Sequence, residues 1–147
     1  ENLSVALRMK PDYPPAYYNL AMACLRSGDL NKSAEFFSQY LQRKPQDVDA
    51  AQDYSFVLIQ LKRWNEAIGI LEPLSRSAPN VAPIYFRLAQ ARSQTQDPAG
   101  AIEALRRGTS LLDPRKALAW LSRSDYDPLR SNPDFQKLIE ELGAADK

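Results

Sequence analysis

The side chains able to do covalent chemistry are few in this 147-residue chain, and their settings decide against it. There is no histidine, so neither an imidazole base nor a histidine-ligated metal can be assembled. The single cysteine, Cys24, has no imidazole to activate it and falls at an apolar, helix-spaced position, which reads as an inert packed thiol. One cysteine also rules out an intramolecular disulfide. Two acidic pairs have the composition of a general acid–base couple. Asp125 and Asp127 lie in a turn-forming run, where local backbone capping accounts for them. Glu140 and Glu141 are neighbours on a helix and point in different directions. No glycine-rich phosphate loop and no metal-ligand spacing occurs. The expectation is no enzyme, no metal and no cofactor.

Charge narrows the partners. With 19 basic and 18 acidic residues the formal net charge is +1, which gives no bulk attraction to nucleic acid. The pairs Lys62-Arg63 and Arg106-Arg107 are too short for a phosphate track and read as solvated helix faces. No stretch approaches the roughly 20 apolar residues that cross a bilayer, so this segment is not expected to insert into a membrane. What the chain could bind is left to the face that its elements present.

The elements that would present such a binding face are helices. Apolar residues recur at helical spacing through Ala16, Tyr17, Leu20, Ala21, Cys24 and Leu25, predicting a helix over Pro14–Ser27. Gly28 suits the left-handed residue that ends it, and Asp29 suits the cap of a second helix over Leu30–Arg43. Pro11, Pro45 and Pro79 stand 34 residues apart, and Pro114 follows after 35. A helical hairpin recurring at that period is a repeat array, whose units bury their apolar faces against one another.

The second pair is expected to start at Val48, capped by Asp47, and to resume at Trp64, reaching about Ser77 with a bend at Pro73. Lys62 takes the place of Gly28, so this turn needs another geometry or a small strain. Asn80 is expected to cap a helix over Ala82–Thr95, and Asp97-Pro98 to start the next. Gly108, where a large side chain stands in earlier repeats, is expected to let the following element approach. After Pro114 come a short helix over Arg115–Ser122, a polar turn whose Tyr126 and Leu129 fold back, and a last helix starting at Asn132-Pro133 and stopping at Gly143. Residues 1–10 read as the second half of a truncated repeat, since Leu3 and Leu7 precede Phe37 and Leu41 by 34. The units are thus 1–10, three repeats over 11–45, 46–79 and 80–114, and C-terminal capping helices over 115–147.

These residues resemble the tetratricopeptide repeat family. The first repeat matches through Tyr17, Leu20, Ala21, Cys24, Gly28, Ser33, Phe37, Tyr40 and Pro45. The second matches through Ala51, Tyr54, Ser55, Leu58, Ala67, Leu71, Leu74 and Pro79, and the third through Tyr85, Leu88, Ala89, Ala101 and Leu105. Ser33 replaces the usual alanine, and Arg92 occupies a normally apolar site. The resemblance implies an all-α fold, a right-handed alpha-solenoid of antiparallel helix pairs, cut from a larger protein.

It also implies a concave groove lined by the first helix of each pair. Its residues here would be Tyr18, Met22 and Arg26 from the first repeat, Asp49, Gln52, Phe56 and Gln60 from the second, and Phe86, Arg87 and Gln90 from the third. Tyr18, Met22, Phe56 and Phe86 are apolar without being needed for packing within a repeat, so they would anchor a peptide or short helix, with the amides pairing its backbone. Some relatives grip a terminal carboxylate with basic groove residues. Tyr18, Met22, Phe56 and Pro83 do not suit that task, and a ligand with aromatic or aliphatic anchors is expected instead. The alternative is a structural or self-associating segment, or a regulatory domain, within a larger protein.

Overall fold

The computed structural model describes residues 13–147, so the half-repeat expected over residues 1–10 lies outside the described residues. The fold is all-α, and the chain divides into two compact units, one ending at Arg63 and the other running from Trp64 to Lys147. That boundary falls between the two helices expected to form the second repeat.

In the first unit, α1 (Pro14–Ser27), α2 (Leu30–Arg43) and α3 (Val48–Gln60) follow one another, with α2 packed on both α1 and α3. Prolines at the start of α1 cost no hydrogen bond, because the first amides of a helix have no intrahelical acceptor. Asp29 and Asp47 cap α2 and α3 by accepting from the amides of Lys32 and Ala50. Ala16, Ala21, Ala34 and Phe37 are buried between α1 and its neighbours. Ser33, the departure from alanine, is also buried, and its hydroxyl donates to the Ala21 carbonyl at 2.8 Å, so the extra oxygen is satisfied across the helix pair.

The turns repeat more faithfully than their residues. Gly28, Lys62 and Gln96 all have positive φ, at 87°, 60° and 62°. Behind them the amides of Asp29, Arg63 and Asp97 donate to the carbonyls of Cys24, Leu58 and Arg92, at 2.9, 2.8 and 2.9 Å. This is one helix-ending motif used three times at a 34-residue interval. Lys62 therefore keeps the glycine geometry and accepts its strain, the second of the two outcomes expected for it.

The second unit contains α4 (Trp64–Ser77), α5 (Ala82–Gln94), α6 (Pro98–Thr109), α7 (Pro114–Leu121), a 3-10 turn (Ser124–Leu129) and α8 (Pro133–Ala145). Helix α5 is its centre, packed on α4, on α6 and on the 3-10 turn. Pro73 sits inside α4, which continues to Ser77. Arg92, in its apolar site, is mostly buried and pairs with Glu72 of α4 while donating to the Gly100 carbonyl, so α4, α5 and the start of α6 share one guanidinium. Asp97, Asp113 and Asn132 cap α6, α7 and α8.

Three local expectations are corrected. Asn80 caps nothing: α5 begins at Ala82, its N-cap is Val81 with no side-chain bond, and Pro83 removes one of the amides that a cap would serve. Gly143 does not stop α8, which runs on to Ala145, because no left-handed residue stands there. Gly108 does permit close approach, but to the preceding helix. A β-carbon there would meet Tyr85 Cβ at 3.1 Å and the Phe86 ring at 3.3 Å.

Candidate docking surface

Helix α3 leaves one side open. Ala50, Ala51, Tyr54, Ser55, Val57, Leu58 and Ile59 are buried. The side left open is a stripe of Asp49, Gln52, Asp53, Phe56 and Gln60, spaced at three, four, seven and eleven residues from Asp49. Asp49 and Gln60 are exposed, Gln52 is half-buried, and Phe56 is 38% exposed, one of the few large apolar side chains left open to water among the described residues. Fully burying a phenyl ring is worth about 1.5–3 kcal/mol, so covering the 38% of Phe56 still open would gain on the order of 1 kcal/mol or less.

Helix α1 carries three more of the expected residues. Tyr18 and Met22 are half-buried and Arg26 is exposed. The Tyr18 ring leans on Phe37 and Tyr40 of α2, with centroids 6.1 and 5.4 Å apart, and its hydroxyl donates to Asp53 Oδ2 of α3 at 3.4 Å. Tyr18 is thus partly packing and partly surface, and it joins the open sides of α1 and α3. Burial, followed by the charge of Asp53, pushes its phenol pKa up, with smaller contributions from Asp47 and Asp49. Asp47 accepts from Tyr40 Oη at 2.6 Å and caps α3 at once. That hydrogen bond, with the Ala50 amide behind it, holds the Asp47 carboxyl below its ordinary range and pushes Tyr40 up to about 12. The face is therefore aromatic and acidic around Tyr18, with Arg26 as its basic member. Asp47 was expected from sequence only as the cap of α3, and Asp53 was not singled out; the spacing of the α3 stripe was the signal for Asp53.

The third-repeat residues behave differently. Phe86 is fully buried and does not anchor a ligand. Its ring stacks on Trp120 at 4.5 Å with planes 2° apart, and its carbonyl accepts from Tyr126 Oη at 3.0 Å. Gln90 donates to Asp125 Oδ1 at 3.3 Å, and Arg87 is half-buried. The C-terminal elements fold back onto this part of α5, as expected of Tyr126 and Leu129, which are both 1% exposed. The reason is spacing: Trp120 stands 34 residues after Phe86, in the equivalent place of the next unit. The ten residues thus separate into seven on the first unit, two of α5 engaged or partly covered, and Phe86 in the core.

No group of three or more ligating side chains that could hold a metal occurs among the described residues. Cys24 is half-buried, and burial together with the nearby Asp29 pushes its thiol pKa up, which disfavours the reactive thiolate. No helix among the described residues is long and apolar enough to cross a membrane.

Comparison with known proteins agrees with this architecture. A family profile described as tetratricopeptide repeat matches residues 1–53 and 25–85, and a second of the same description matches residues 82–111. Protein FlbA of Caulobacter vibrioides is 30% identical over 97 residues, covering 66% of this chain and 16% of that protein. Among solved structures, MamA 41-end from Desulfovibrio magneticus RS-1 matches with a TM-score of 0.72 and 21% identity, over 99% of this chain and 84% of that one. The MamA RS-1 ArsTM double mutant matches at a TM-score of 0.78 with 20% identity, over 98% and 81% of the two chains. At this level of identity these structural likenesses speak for the fold.

Proposed function

This chain belongs to the tetratricopeptide repeat family, and from that premise we propose that it is a non-catalytic docking module for a protein segment. The family's repeats serve as scaffolds for protein–protein contact. The proposed ligand is a peptide or short helix whose apolar anchor packs on Phe56 and Met22 against the edge of Tyr18, with Asp49, Gln52 and Gln60 along one side and Arg26 beyond. A basic residue beside the anchor suits the three carboxylates grouped near Tyr18. The observation carrying this reading is the α3 stripe, in which an exposed phenylalanine sits among polar groups on the one open side of an otherwise buried helix.

A photo-crosslinking residue at position 56, with Met22→Glu as the control, tests it. The expected result is a crosslinked partner peptide containing an apolar residue next to a basic one, reduced by Met22→Glu while the helical melt stays unchanged. Crosslinks only to a second copy, with a matching increase in solution mass, would assign the face to self-association instead. Crosslinks indifferent to Met22→Glu would remove the docking surface.

A further inference from the structure

A second site lies within the second unit, on helices that contribute no residue to the surface just described. Helices α4, α5 and α6 enclose a pocket of about 210 Å³, lined by Glu72, Ser75 and Arg76 of α4, Tyr85, Leu88 and Arg92 of α5, and Glu103, Ala104 and Arg107 of α6. Three consecutive helices each contribute one arginine. Arg92 is committed to the fold through Glu72 and the Gly100 carbonyl. The Tyr85 hydroxyl is also engaged, donating to the Pro79 carbonyl at 2.8 Å. The guanidinium groups of Arg76 and Arg107 make no hydrogen bond or ion pair among the described residues. They face a shared space several times the roughly 30 Å³ that one water occupies.

We infer that this pocket binds a carboxylate, held between Arg76 and Arg107. A guanidinium fork matches a carboxylate or a phosphate, and charge decides between them. With three arginines against two glutamates, the pocket has one positive charge in excess. A carboxylate neutralises it, whereas a phosphate dianion leaves a surplus negative charge beside Glu103. Leu88 and Ala104 line the floor of the pocket but are almost wholly buried, so recognition rests on the carboxylate group itself. The source is either a free aliphatic acid or the terminal carboxylate of a peptide.

The test is a titration followed by NMR of the arginine Nε–H groups and the Leu88 and Ala104 methyls, at constant ionic strength with chloride as background. Acetate, butyrate and inorganic phosphate are the probes. Saturable shifts at Arg76 and Arg107 are expected with the carboxylates. Butyrate should bind within about twofold of acetate, because little apolar surface is open to its added methylenes. Arg107→Gln should weaken binding by about tenfold through loss of a charge-assisted contact, and Arg76→Gln likewise. Neither change should alter the fold, since both side chains are exposed and without partners in it. Glu103→Gln should strengthen binding by about twofold or more by removing a repelling charge. An acetylated tripeptide with a free terminus, compared with its amide, identifies the source: an acid form tighter than butyrate points to a peptide end, and equal affinity to a free acid. Non-saturable shifts, phosphate binding as tightly as butyrate, or full binding by the Arg76→Gln/Arg107→Gln double variant would overturn the assignment.

Discussion

Phe56 and Phe86 occupy the first helices of neighbouring repeats, and truncating each to alanine should have opposite consequences. Phe86 is fully buried, its ring stacks on Trp120 at 4.5 Å, and the same ring approaches the place of a β-carbon on Gly108 to within 3.3 Å. Removing it opens a cavity with rigid walls, so the expected cost is about 3–5 kcal/mol, part of it the aromatic stacking. For an m-value of about 2 kcal/mol/M in urea, the unfolding midpoint of the second unit should fall by about 1.5–2.5 M. Phe56→Ala removes a ring already 38% exposed and should cost about 1–2 kcal/mol. The assay is urea unfolding in a Trp64→Phe background, where Trp120 is the remaining tryptophan and reports on its own stack. If Phe86→Ala unfolds within about 1 kcal/mol of the parent, or Phe56→Ala loses as much as Phe86→Ala, then the assignment of one ring to the core and the other to the surface is wrong.

Glycine at either of the strained turn positions should stabilise: Lys62→Gly and Gln96→Gly each remove a left-handed penalty of about 1–2 kcal/mol, partly offset by the entropy of glycine, for a net gain of about 0.5–1 kcal/mol in thermal melts. Gly108→Ala gains about 1 kcal/mol of helix propensity but presses on Tyr85 Cβ and on a Phe86 ring already held by Trp120, so a net loss of about 1–2 kcal/mol is expected in urea unfolding. The lowered Asp47 pKa contributes stability that is present above the unfolded value of 3.8 and is lost as pH falls through the folded one. Tyr40→Phe should therefore flatten the acid limb of the stability–pH curve, and carboxyl NMR should show Asp47 titrating closer to 3.8 in that variant. On the alkaline side, tyrosinate absorbance should place the Tyr40 midpoint at about 12, with the stability gained from its hydrogen bond present below pH 10 and lost as the phenol ionises.

The positions of the helices were readable because their punctuation is local. Pro14, Asp29, Asp47, Asp97 and Asn132 each act within three or four residues, and the apolar period fixes what lies between them. The fate of Phe86 was not readable from its own helix, since an apolar residue at that place can serve a ligand or the next unit equally well. Trp120 decides it, through a contact 34 residues away. The same holds for Gln90, whose partner Asp125 lies in a turn 35 residues downstream. Arg92 looked out of place because the repeat pattern favours an apolar residue there. Its acceptors, Glu72 and the Gly100 carbonyl, come from elements before and after it. Asn80 and Gly143 misled for the reverse reason: each is a good punctuation residue with no helix end at the right distance to use it.

The three left-handed turns are closed by main-chain amides and carbonyls, whichever side chain stands there. The joint between one helix and the next is accordingly indifferent to local composition, and it recurs at a fixed residue count. Lengthening or shortening the array by a complete 34-residue block therefore regenerates the same joint on either side of the splice. Cutting one residue more or fewer shifts every later apolar face by about 100° around its helix axis. Such a chain can gain or lose helix pairs by gene-segment duplication while every remaining pair keeps its own apolar faces in register.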